Sequence, residues 1–416
     1  LILFFMQTVG IIAEYNPFHK GHAYQIEEAK KAAMGEMYRA AKESAKNGEH
    51  IINFASGHPD TEILRGELIT KYVIDAVNDN QSSFFQYGAH IGYTPLRDAL
   101  KIFENGHGNR VKQNDDLLIT YGATEGISLM AMSLINPGDR VIVEEPSYVN
   151  AIKSFRMYGA NVVGVPLQND GVDLDILENE MRKGAKFFYI IPNFNNPTGI
   201  TTSQKKRKKI YELAVKYGVL LLEDNAYGEL RYKGDRLPSI KDLDEEGIVI
   251  YISTLSKYVA PAMRIGYMIA DANFINRSAI IKGVTTNGVT NILQYAAWKM
   301  FEELDMDAEI DRIAKVYASK LFVMENAMNE MFPDEVRKSS PDGGMYMWVT
   351  LPKYIDVEEF CKRSATELYI PITPGNGFCV NEPQKCTSMR FNFVKESPQD
   401  IVGGIEKVAS LIKQYM

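Results

Sequence analysis

The chain has 416 residues, of which 45% are hydrophobic and 24% charged, and its formal net charge is −7. These values are ordinary for a soluble protein of two or three domains, and the acidic balance argues against a nucleic-acid partner. The three cysteines, Cys361, Cys379 and Cys386, form no Cys-x-x-Cys pair, which favours a reducing cytoplasm and leaves no convincing metal-ligand spacing. No apolar run reaches the roughly 20 residues of a membrane span.

The first interpretable pattern lies at residues 9–31, where an apolar strand and a turn are followed by His19-Lys20-Gly21-His22 at the start of a helix. This segment resembles the extreme N-terminus of the tRNA cytidine acetate ligase family, nucleotidyltransferases in which such a motif presents imidazoles to the phosphates of ATP. One strand and one helix cannot bury a core of their own. We therefore predict that residues 1–35 are an appended, non-functional fragment, with adenylate binding as the alternative.

Short apolar strands alternate with helices between residues 114 and 270. The strands are predicted at residues 117–120, 141–143, 162–165, 186–191, 219–222 and 248–252. This alternation indicates a mostly parallel sheet that is covered by helices on both faces. Thr202 or Ser203 is expected to cap a helix that ends at Tyr217. The basic run at residues 205–209 lies on that helix and predicts a solvated face rather than a nucleic-acid site.

The C-terminal part of the chain has a different pattern. A long helical stretch at about residues 292–331 precedes a strand at 343–349, mixed elements and a final helix at 398–414. This order indicates a second, α+β domain, which the residues before about 82 are expected to join. We therefore predict three segments after the fragment, namely 36–81 as the N-terminal part of the small domain, 82–315 as the large domain and 316–416 as the C-terminal small domain.

Residues suited to one cofactor follow several of the predicted strands, and ligands bind beyond the carboxyl ends of open parallel sheets. The most informative is Lys257, just after the 248–252 strand, with Arg264 seven residues later. An amine and a guanidinium fork suit a carbonyl and a phosphate, which pyridoxal phosphate (PLP) combines in one molecule. Gly122, Ala123 and Thr124 open a helix whose N–H groups and dipole favour a phosphate.

Three further strand-end residues suit the ring of such a cofactor. Tyr148 offers a stacking surface, Asn196 offers a donor for a phenolic oxygen, and Asp224 offers a carboxylate for a protonated ring nitrogen. Taken singly, each has an ordinary explanation in packing, a turn or a surface acid. Their common placement after strands predicts one site.

The combined pattern resembles the fold-type I PLP-dependent aminotransferases of class I/II, close to the 2-aminoadipate and aromatic aminotransferases and to regulator effector domains on the same fold. The resemblance covers about residues 36–416. It implies an α/β fold of the PLP-dependent transferase type I, with a mostly parallel sheet flanked by helices and a smaller α+β domain. The matching stretches are 54–60 (FASGHPD), 86–88 (QYG), 92–97 (GYTPLR), 121–126 (YGATEG), 196–199 (NPTG), 223–227 (EDNAY), 256–257 (SK), 264–267 (RIGY), 343–346 (GGMY) and 389–393 (MRFNF).

The resemblance also implies a role for individual residues. The catalytic residues it implies are Lys257, which forms a Schiff base and carries a proton, Asp224 and Tyr227. Substrate contacts are implied for Gly57, Asn196 and Arg390, although Arg390 taken alone reads as a surface ion pair. Cofactor contacts are implied for Tyr87 (from a neighbouring subunit), Gly122, Ala123, Thr124, Tyr148, Asn196, Asp224, Tyr227, Thr254, Ser256, Lys257 and Arg264.

The implied activity is transfer of an amino group from an L-amino acid to a 2-oxo acid, with 2-oxoglutarate as the expected acceptor and a ping-pong mechanism through the Lys257 Schiff base. The implied assembly is a homodimer with shared active sites, without nucleic-acid or membrane partners. Two alternatives remain open. A PLP-dependent lyase or decarboxylase on the same fold would need no oxo-acid acceptor. A non-catalytic module that senses PLP or an amino acid would never convert the cofactor to its amine form.

Overall fold

The structure is a computed structural model that describes residues 35–45, 48–79, 84–108 and 110–416. The predicted fragment at residues 1–35 therefore lies outside the described residues except for its last position. Within those ranges, no helix has both the length and the apolar character that a bilayer crossing requires. Nor do the described His, Cys, Asp and Glu side chains form a group of three or more that is placed to hold a metal ion.

Helices and strands alternate along the described chain as the sequence predicts. The α-helices are α1 (Glu36–Ser44), α2 (Gly66–Asp79), α3 (Thr94–Gly106), α4 (Gly122–Leu134), α5 (Val149–Met157), α6 (Leu174–Arg182), α7 (Gln204–Tyr217), α8 (Ala272–Thr285), α9 (Asn291–Glu303), α10 (Met306–Met331), α11 (Val357–Glu367) and α12 (Pro398–Lys413). The strands are β1 (Asp115–Thr120), β2 (Arg140–Glu145), β3 (Asn161–Gln168), β4 (Gly171–Val172), β5 (Phe187–Ile190), β6 (Leu220–Asp224), β7 (Val249–Thr254), β8 (Gly266–Asp271), β9 (Arg337–Lys338), β10 (Tyr346–Thr350), β11 (Thr373–Pro374) and β12 (Ser388–Asn392).

The large sheet has the strand order β1-β8-β7-β6-β5-β2-β3-β4. Strands β2, β3, β5, β6 and β7 pair in parallel, which confirms the predicted mostly parallel sheet. Strand β8, which the sequence analysis did not assign, runs antiparallel between β7 and β1. The connection at residues 255–265 is too short for a helical crossover, so the chain returns antiparallel. This connection contains two 3₁₀ turns. The first, Leu255–Lys257, ends with the predicted site lysine, and the second, Pro261–Met263, directly precedes Arg264.

The strands of the large sheet are apolar because both of their faces are buried. Ile142, Phe188 and Leu221 pack in one hydrophobic cluster, whereas their neighbours Val143 and Leu222 pack in the other. Side chains alternate between the faces of a strand, so consecutive apolar residues are needed to serve two cores. Each fully buried side chain of this kind stabilises the fold by roughly 1.5–3 kcal/mol. The sheet is therefore a rigid base for groups at its carboxyl edge.

A second, antiparallel sheet has the order β11-β12-β10-β9. The segment before α2 lies beside it, since the Asn392 N–H donates to the Phe54 carbonyl over 2.8 Å. This contact places Phe54 beside the second sheet, and the division of the chain into domains stays a prediction. The predicted helical stretch at 292–331 is two helices, and Asp305 caps the second by accepting from the Ala308 N–H. The predicted boundary at 315/316 falls inside α10.

The prediction of a solvated basic face on α7 is wrong for Lys206 and Arg207, which are buried. The Nη2 group of Arg207 donates to the Pro192 carbonyl over 2.9 Å and to Asn193 Oδ1 over 2.6 Å. Buried guanidinium groups need such acceptors because an unpaired buried charge is costly. Arg207 therefore holds the loop that follows β5 and carries Asn196.

Candidate active site

A cavity of about 580 Å³ opens at the carboxyl edge of the large sheet, facing the small domain. Most of the predicted site residues line it, namely Gly57, Ala123, Thr124, Tyr148, Asn196, Asp224, Tyr227, Thr254, Ser256, Lys257, Arg264 and Arg390. Two predicted residues do not line it. Gly122 lies beneath the Arg264 side chain, and Tyr87 is 86% exposed on the surface of the single chain.

Lys257 ends the 3₁₀ turn that follows β7, and its side chain reaches towards the small domain. Its Nζ donates to the Gly57 carbonyl over 3.2 Å and lies 5.6 Å from the centre of the Tyr227 ring. Burial lowers the pKa of the Lys257 amine, and the positive charges of Arg390 and Arg264 lower it further. A lowered pKa increases the share of neutral amine, which is the nucleophilic and basic form.

Asp224 ends β6 and is only 3% exposed. The Tyr189 hydroxyl donates to its Oδ2 over 2.7 Å, and the Ala226 N–H donates to its Oδ1 over 3.2 Å. Burial raises the pKa of Asp224 to about 6, against the opposing effect of these hydrogen bonds and of the Lys257 charge. The carboxylate is therefore mostly ionised at neutral pH while it faces a cavity, which suits a cationic N–H group.

Arg390 lies on β12 of the second sheet, at the far wall of the cavity, and connects that sheet to the loop that follows β5 of the large sheet. Its Nη1 donates to Asn196 Oδ1 over 2.9 Å, and its Nη2 donates to the Ala55 carbonyl over 3.1 Å. Asn196 in turn donates from Nδ2 to the Tyr227 hydroxyl over 3.2 Å. The guanidinium lies 4.2 Å from the centre of the Tyr346 ring. This arrangement fixes the plane of the guanidinium and directs it at the cavity.

At the other end, Arg264 lies beside the start of α4. Its Nη2 donates to the Tyr121 carbonyl over 3.1 Å, close above Gly122, where an added Cβ would be 2.7 Å from Nη2. Gly122 also has a φ of +69°, which favours glycine. A Cβ at Gly266 would approach the Gly122 carbonyl carbon to 2.5 Å, so two glycines allow β8 to pass close to the helix start.

Hydroxyl groups complete that end of the cavity. The Thr254 hydroxyl donates to the Ser256 hydroxyl over 2.9 Å and accepts from the Ser256 N–H over 3.2 Å. Ala123 and Thr124 lie in the first turn of α4, where helix N–H groups are free for an anion. Together with Arg264, these groups form a cradle whose chemistry suits a phosphate.

The charged side chains of the cavity can be compared with the charged and reactive groups of PLP. Lys257, Arg264 and Arg390 face the cavity, and among the described residues none of them has a carboxylate oxygen within 4.0 Å. The buried Nε of Arg390 also has no partner in the described chain. Cations at such a site need anionic or electrophilic partners. PLP with an amino acid offers a matching partner to each cation: the aldehyde for the amine, the phosphate for one guanidinium and the substrate carboxylate for the other. The residues therefore fit this cofactor.

Tyr189 and Tyr346 hold the site residues in place, although neither is among the predicted site residues. Tyr189 lies on β5 beside β6 and donates to Asp224, whereas Tyr346 starts β10 and stacks on Arg390. The alternation of side chains along the predicted 186–191 strand assigns Tyr189 to one face of the sheet. It does not predict that Tyr189 lies next to Asp224. Tyr346 lies in the motif GGMY, so a signal for it was present. The pairing with Arg390 depends on contacts between distant segments.

Comparisons with known proteins identify the family. Residues 49–402 match the family model described as Aminotransferase class I and II. Residues 6–38 match the model described as HIGH Nucleotidyl Transferase, which agrees with the resemblance predicted for that stretch.

The similar proteins span nearly the whole chain. It is 35% identical over 372 residues to aromatic-amino-acid aminotransferase 1 of Thermococcus litoralis, which covers 88% of this chain and 89% of that protein. The solved structure of a multiple substrate aminotransferase from Thermococcus profundus has a TM-score of 0.87 at 30% identity and covers 96% of this chain and 98% of that chain. Kynurenine aminotransferase of Pyrococcus horikoshii, solved in complex with PMP, has a TM-score of 0.87 at 31% identity, with 96% and 97% covered. The chain therefore belongs to aminotransferase class I and II, a family of enzymes that transfer amino groups with pyridoxal phosphate as cofactor.

Proposed function

We propose that this enzyme exchanges the amino group of an L-amino acid with the oxo group of a 2-oxo acid at the cavity around Lys257, in two half-reactions that use the same site. The observation that carries the proposal is the charge pattern of that cavity. An amine with a lowered pKa, a buried carboxylate and two guanidinium groups face one volume, and no carboxylate of the described residues pairs with either guanidinium. We propose 2-oxoglutarate as the acceptor on the strength of the family resemblance.

Each end of the cavity has residues suited to one part of the cofactor. When bound, PLP supplies an aldehyde for an amine and a ring that accepts the electrons released at the substrate Cα. We assign the phosphate to Arg264, the hydroxyls of Thr254 and Ser256, and the first turn of α4, including Gly122, Ala123 and Thr124. We assign the ring nitrogen to Asp224, the ring hydroxyl to Asn196 and Tyr227, and the ring face to Tyr148.

Lys257 is the residue that we assign to covalent retention of the cofactor and to proton transfer at the substrate Cα. Its lowered pKa makes it a better base near neutral pH than an exposed lysine. Arg390 is assigned the substrate α-carboxylate, since its planar fork is held by Asn196 and Ala55. The backbone at Gly57 lies within hydrogen-bond distance of Lys257 and is assigned a position beside the same carboxylate.

We also propose a homodimer. Tyr87 and Phe85 are 86% and 67% exposed, and Ile280 and Val284 on α8 are 71% and 83% exposed. These side chains belong to neighbouring segments, because His90 Nε2 lies 3.1 Å from Asn287 Oδ1 just past α8. Exposed apolar side chains on neighbouring segments are typical of an interaction surface, and a partner on this surface would receive Tyr87. Sedimentation equilibrium tests this assembly, which a mass of a single 46.9 kDa chain would contradict.

The remaining proposals concern the organisation and location of the chain. We propose the segments 36–81, 82–315 and 316–416 as functional divisions of the aminotransferase part, and residues 1–35 as a fragment without activity; ATP binding in isothermal titration would contradict the latter. We propose a cytoplasmic location, which the three free cysteines favour. Fractionation of cells that make the protein tests it, and recovery outside the cytoplasm would contradict it.

Replacement of Lys257 tests the central assignment. The protein is incubated with PLP, reduced with borohydride and weighed by mass spectrometry. The wild type should keep the cofactor covalently, whereas Lys257→Ala should not, and its amino-transfer activity should fall by more than about 10²-fold. Lys362→Ala, on the exposed face of α11, is the matched control and should behave as the wild type. Covalent retention at full occupancy in Lys257→Ala would show that the lysine is misassigned.

A further inference from the structure

The cavity contains one more cation than the cofactor and a substrate α-carboxylate require. Its lining includes four, namely Lys257, Arg264, Arg390 and Lys395, and Asp224 is the only carboxylate among the described lining residues. The first three have the partners assigned above. Lys395 remains without such a partner.

Lys395 lies three residues after β12, the strand that carries Arg390, and its N–H donates to Asn392 Oδ1 over 3.2 Å. The side chain is 39% exposed, and its Nζ lies 3.5 Å from Glu396 Oε1. That oxygen already accepts from the Asn53 N–H over 3.1 Å. A lysine ammonium has three donors, and within residues 35–416 as the structure describes them Glu396 is its one carboxylate contact, so Lys395 is able to bind a further anion.

The lining near Lys395 is polar. Asn53, Ser56, His58 and Tyr38 belong to it, and the Lys395 Nζ lies 5.9 Å from the centre of the Tyr38 ring. Burial lowers the pKa of His58, and the charges of Lys257 and Lys395 lower it further. His58 is therefore mainly a neutral ring at pH 7, placed near both ammonium groups. This part of the lining is polar and carries the Lys395 charge, so it suits an anionic substrate side chain better than an apolar one, which would cover the ammonium group without pairing it.

We propose that Lys395 binds the distal carboxylate of dicarboxylic amino acids and 2-oxo acids, and thereby makes them the preferred substrates. The inference rests on the proposed function. Because both half-reactions use one cavity, the same lysine would serve the amino donor and the oxo-acid acceptor. Arg390 lies in the middle of β12 and Lys395 lies three residues beyond its end, so one continuous segment would supply the cations for both carboxylates of a ligand.

The test compares two non-reacting acids that differ in one carboxylate, glutarate and butyrate. Their affinities for the PLP-loaded enzyme are measured by isothermal titration calorimetry, which does not depend on turnover. The variants are Lys395→Met, which removes the charge, Lys395→Arg, which keeps it, and Lys362→Met as a surface control. The wild type and Lys362→Met should bind glutarate about tenfold more tightly than butyrate, the scale of a hydrogen bond between charged groups. Lys395→Met should lose this difference, and Lys395→Arg should retain most of it.

Kinetics provide the second measurement. In the first half-reaction, measured without an oxo acid, Lys395→Met should need about tenfold more glutamate for half-maximal rate with little change in the limiting rate, whereas the constants for norvaline should stay the same. Unchanged glutarate affinity in Lys395→Met, an equal loss for butyrate, or a wild type that prefers aromatic amino acids would overturn the inference while leaving amino transfer intact. If no amino acid of any class changes the spectrum of the bound cofactor, the proposed function and the inference fail together.

Discussion

The two sides of the cavity are built in different ways. The cofactor side, defined as Asp224, Lys257 and Arg264, comes from the ends of adjacent strands and from the short turns that follow them. The substrate side, defined as Ala55, Arg390 and Tyr346, comes from the small domain, and its Arg390–Ala55 contact joins residues 335 positions apart. One side is therefore set by a single sheet, and the other by how two sheets meet.

This difference separates two kinds of functional effect. Asp224 receives both of its hydrogen bonds from residues of the large domain, Tyr189 and Ala226. Arg390 instead donates across the cavity to Asn196 of the large domain. Changes on the cofactor side should act mainly on cofactor affinity and kcat. Changes on the substrate side should act mainly on KM.

The largest effect is expected for Asp224→Asn. The substitution keeps the shape and the Tyr189 hydrogen bond but removes the charge that would stabilise a ring N–H⁺. We expect kcat to fall by about 10²–10⁴-fold, with weaker cofactor binding in equilibrium dialysis. Burial raises the pKa of Asp224 to about 6, so the wild-type cofactor affinity should fall as the pH drops through that value and the carboxylate is protonated.

The matched variant for this comparison is Asp244→Asn, which alters a buried acid that pairs with Lys241 away from the cavity. That variant should lose stability but keep cofactor affinity in the fraction that folds. In Asp224→Asn the step in affinity near pH 6 should be absent. A step of unchanged size would mean that another group produces it and that Asp224 does not pair with the ring.

On the substrate side, Arg390→Lys should raise the KM for every amino acid by about 10²-fold while cofactor affinity stays close to that of the wild type. Lysine keeps a charge but loses the planar fork, and it leaves Asn196 Oδ1 or the Ala55 carbonyl without a donor. Steady-state kinetics and cofactor dialysis on the same preparation separate the two quantities. A variant that loses cofactor and substrate affinity equally would break the distinction between the two sides.

The same difference explains how far the sequence could predict the site. Asp224 and Lys257 each follow a strand that is recognisable from its own residues, so the local pattern alone places both at one sheet edge. Tyr189 was not predicted because a strand pattern assigns a side chain to a face of the sheet, and not to a neighbour on that face. The prediction for Arg207 is wrong because a basic run looks uniformly solvated, whereas the carbonyls that bury this side chain come from other loops. What depends on contact between segments is not predictable from either segment alone.

The smallest effect on activity is expected at Glu144, a buried acid near Asp224 that does not line the cavity. Its Oε2 accepts from the Ile191 N–H over 2.8 Å and from Asn195 Nδ2 over 2.7 Å, and within the described chain Oε1 has no partner. Burial raises the pKa of Glu144 from its ordinary 4.5 to about 8. Between these values the folded state binds more protons than the unfolded state, so the free energy of unfolding falls as the pH rises.

Glu144→Gln removes this proton-linked loss. Relative to the wild type, the variant should gain up to about 3–4 kcal/mol of stability between pH 5 and pH 8, the limit set by a pKa shift from 4.5 to about 8. Urea unfolding of the cofactor-free protein at both pH values measures the difference, with Glu406→Gln on the exposed face of α12 as a control that should show no such change. Asp224→Asn should likewise gain stability in the cofactor-free protein. The two variants differ in function, because Asp224→Asn should lose cofactor affinity and Glu144→Gln should keep it. If Glu144→Gln also lost the cofactor, the carboxyl edge of the sheet would act as one coupled unit rather than as a structural acid beside a functional one.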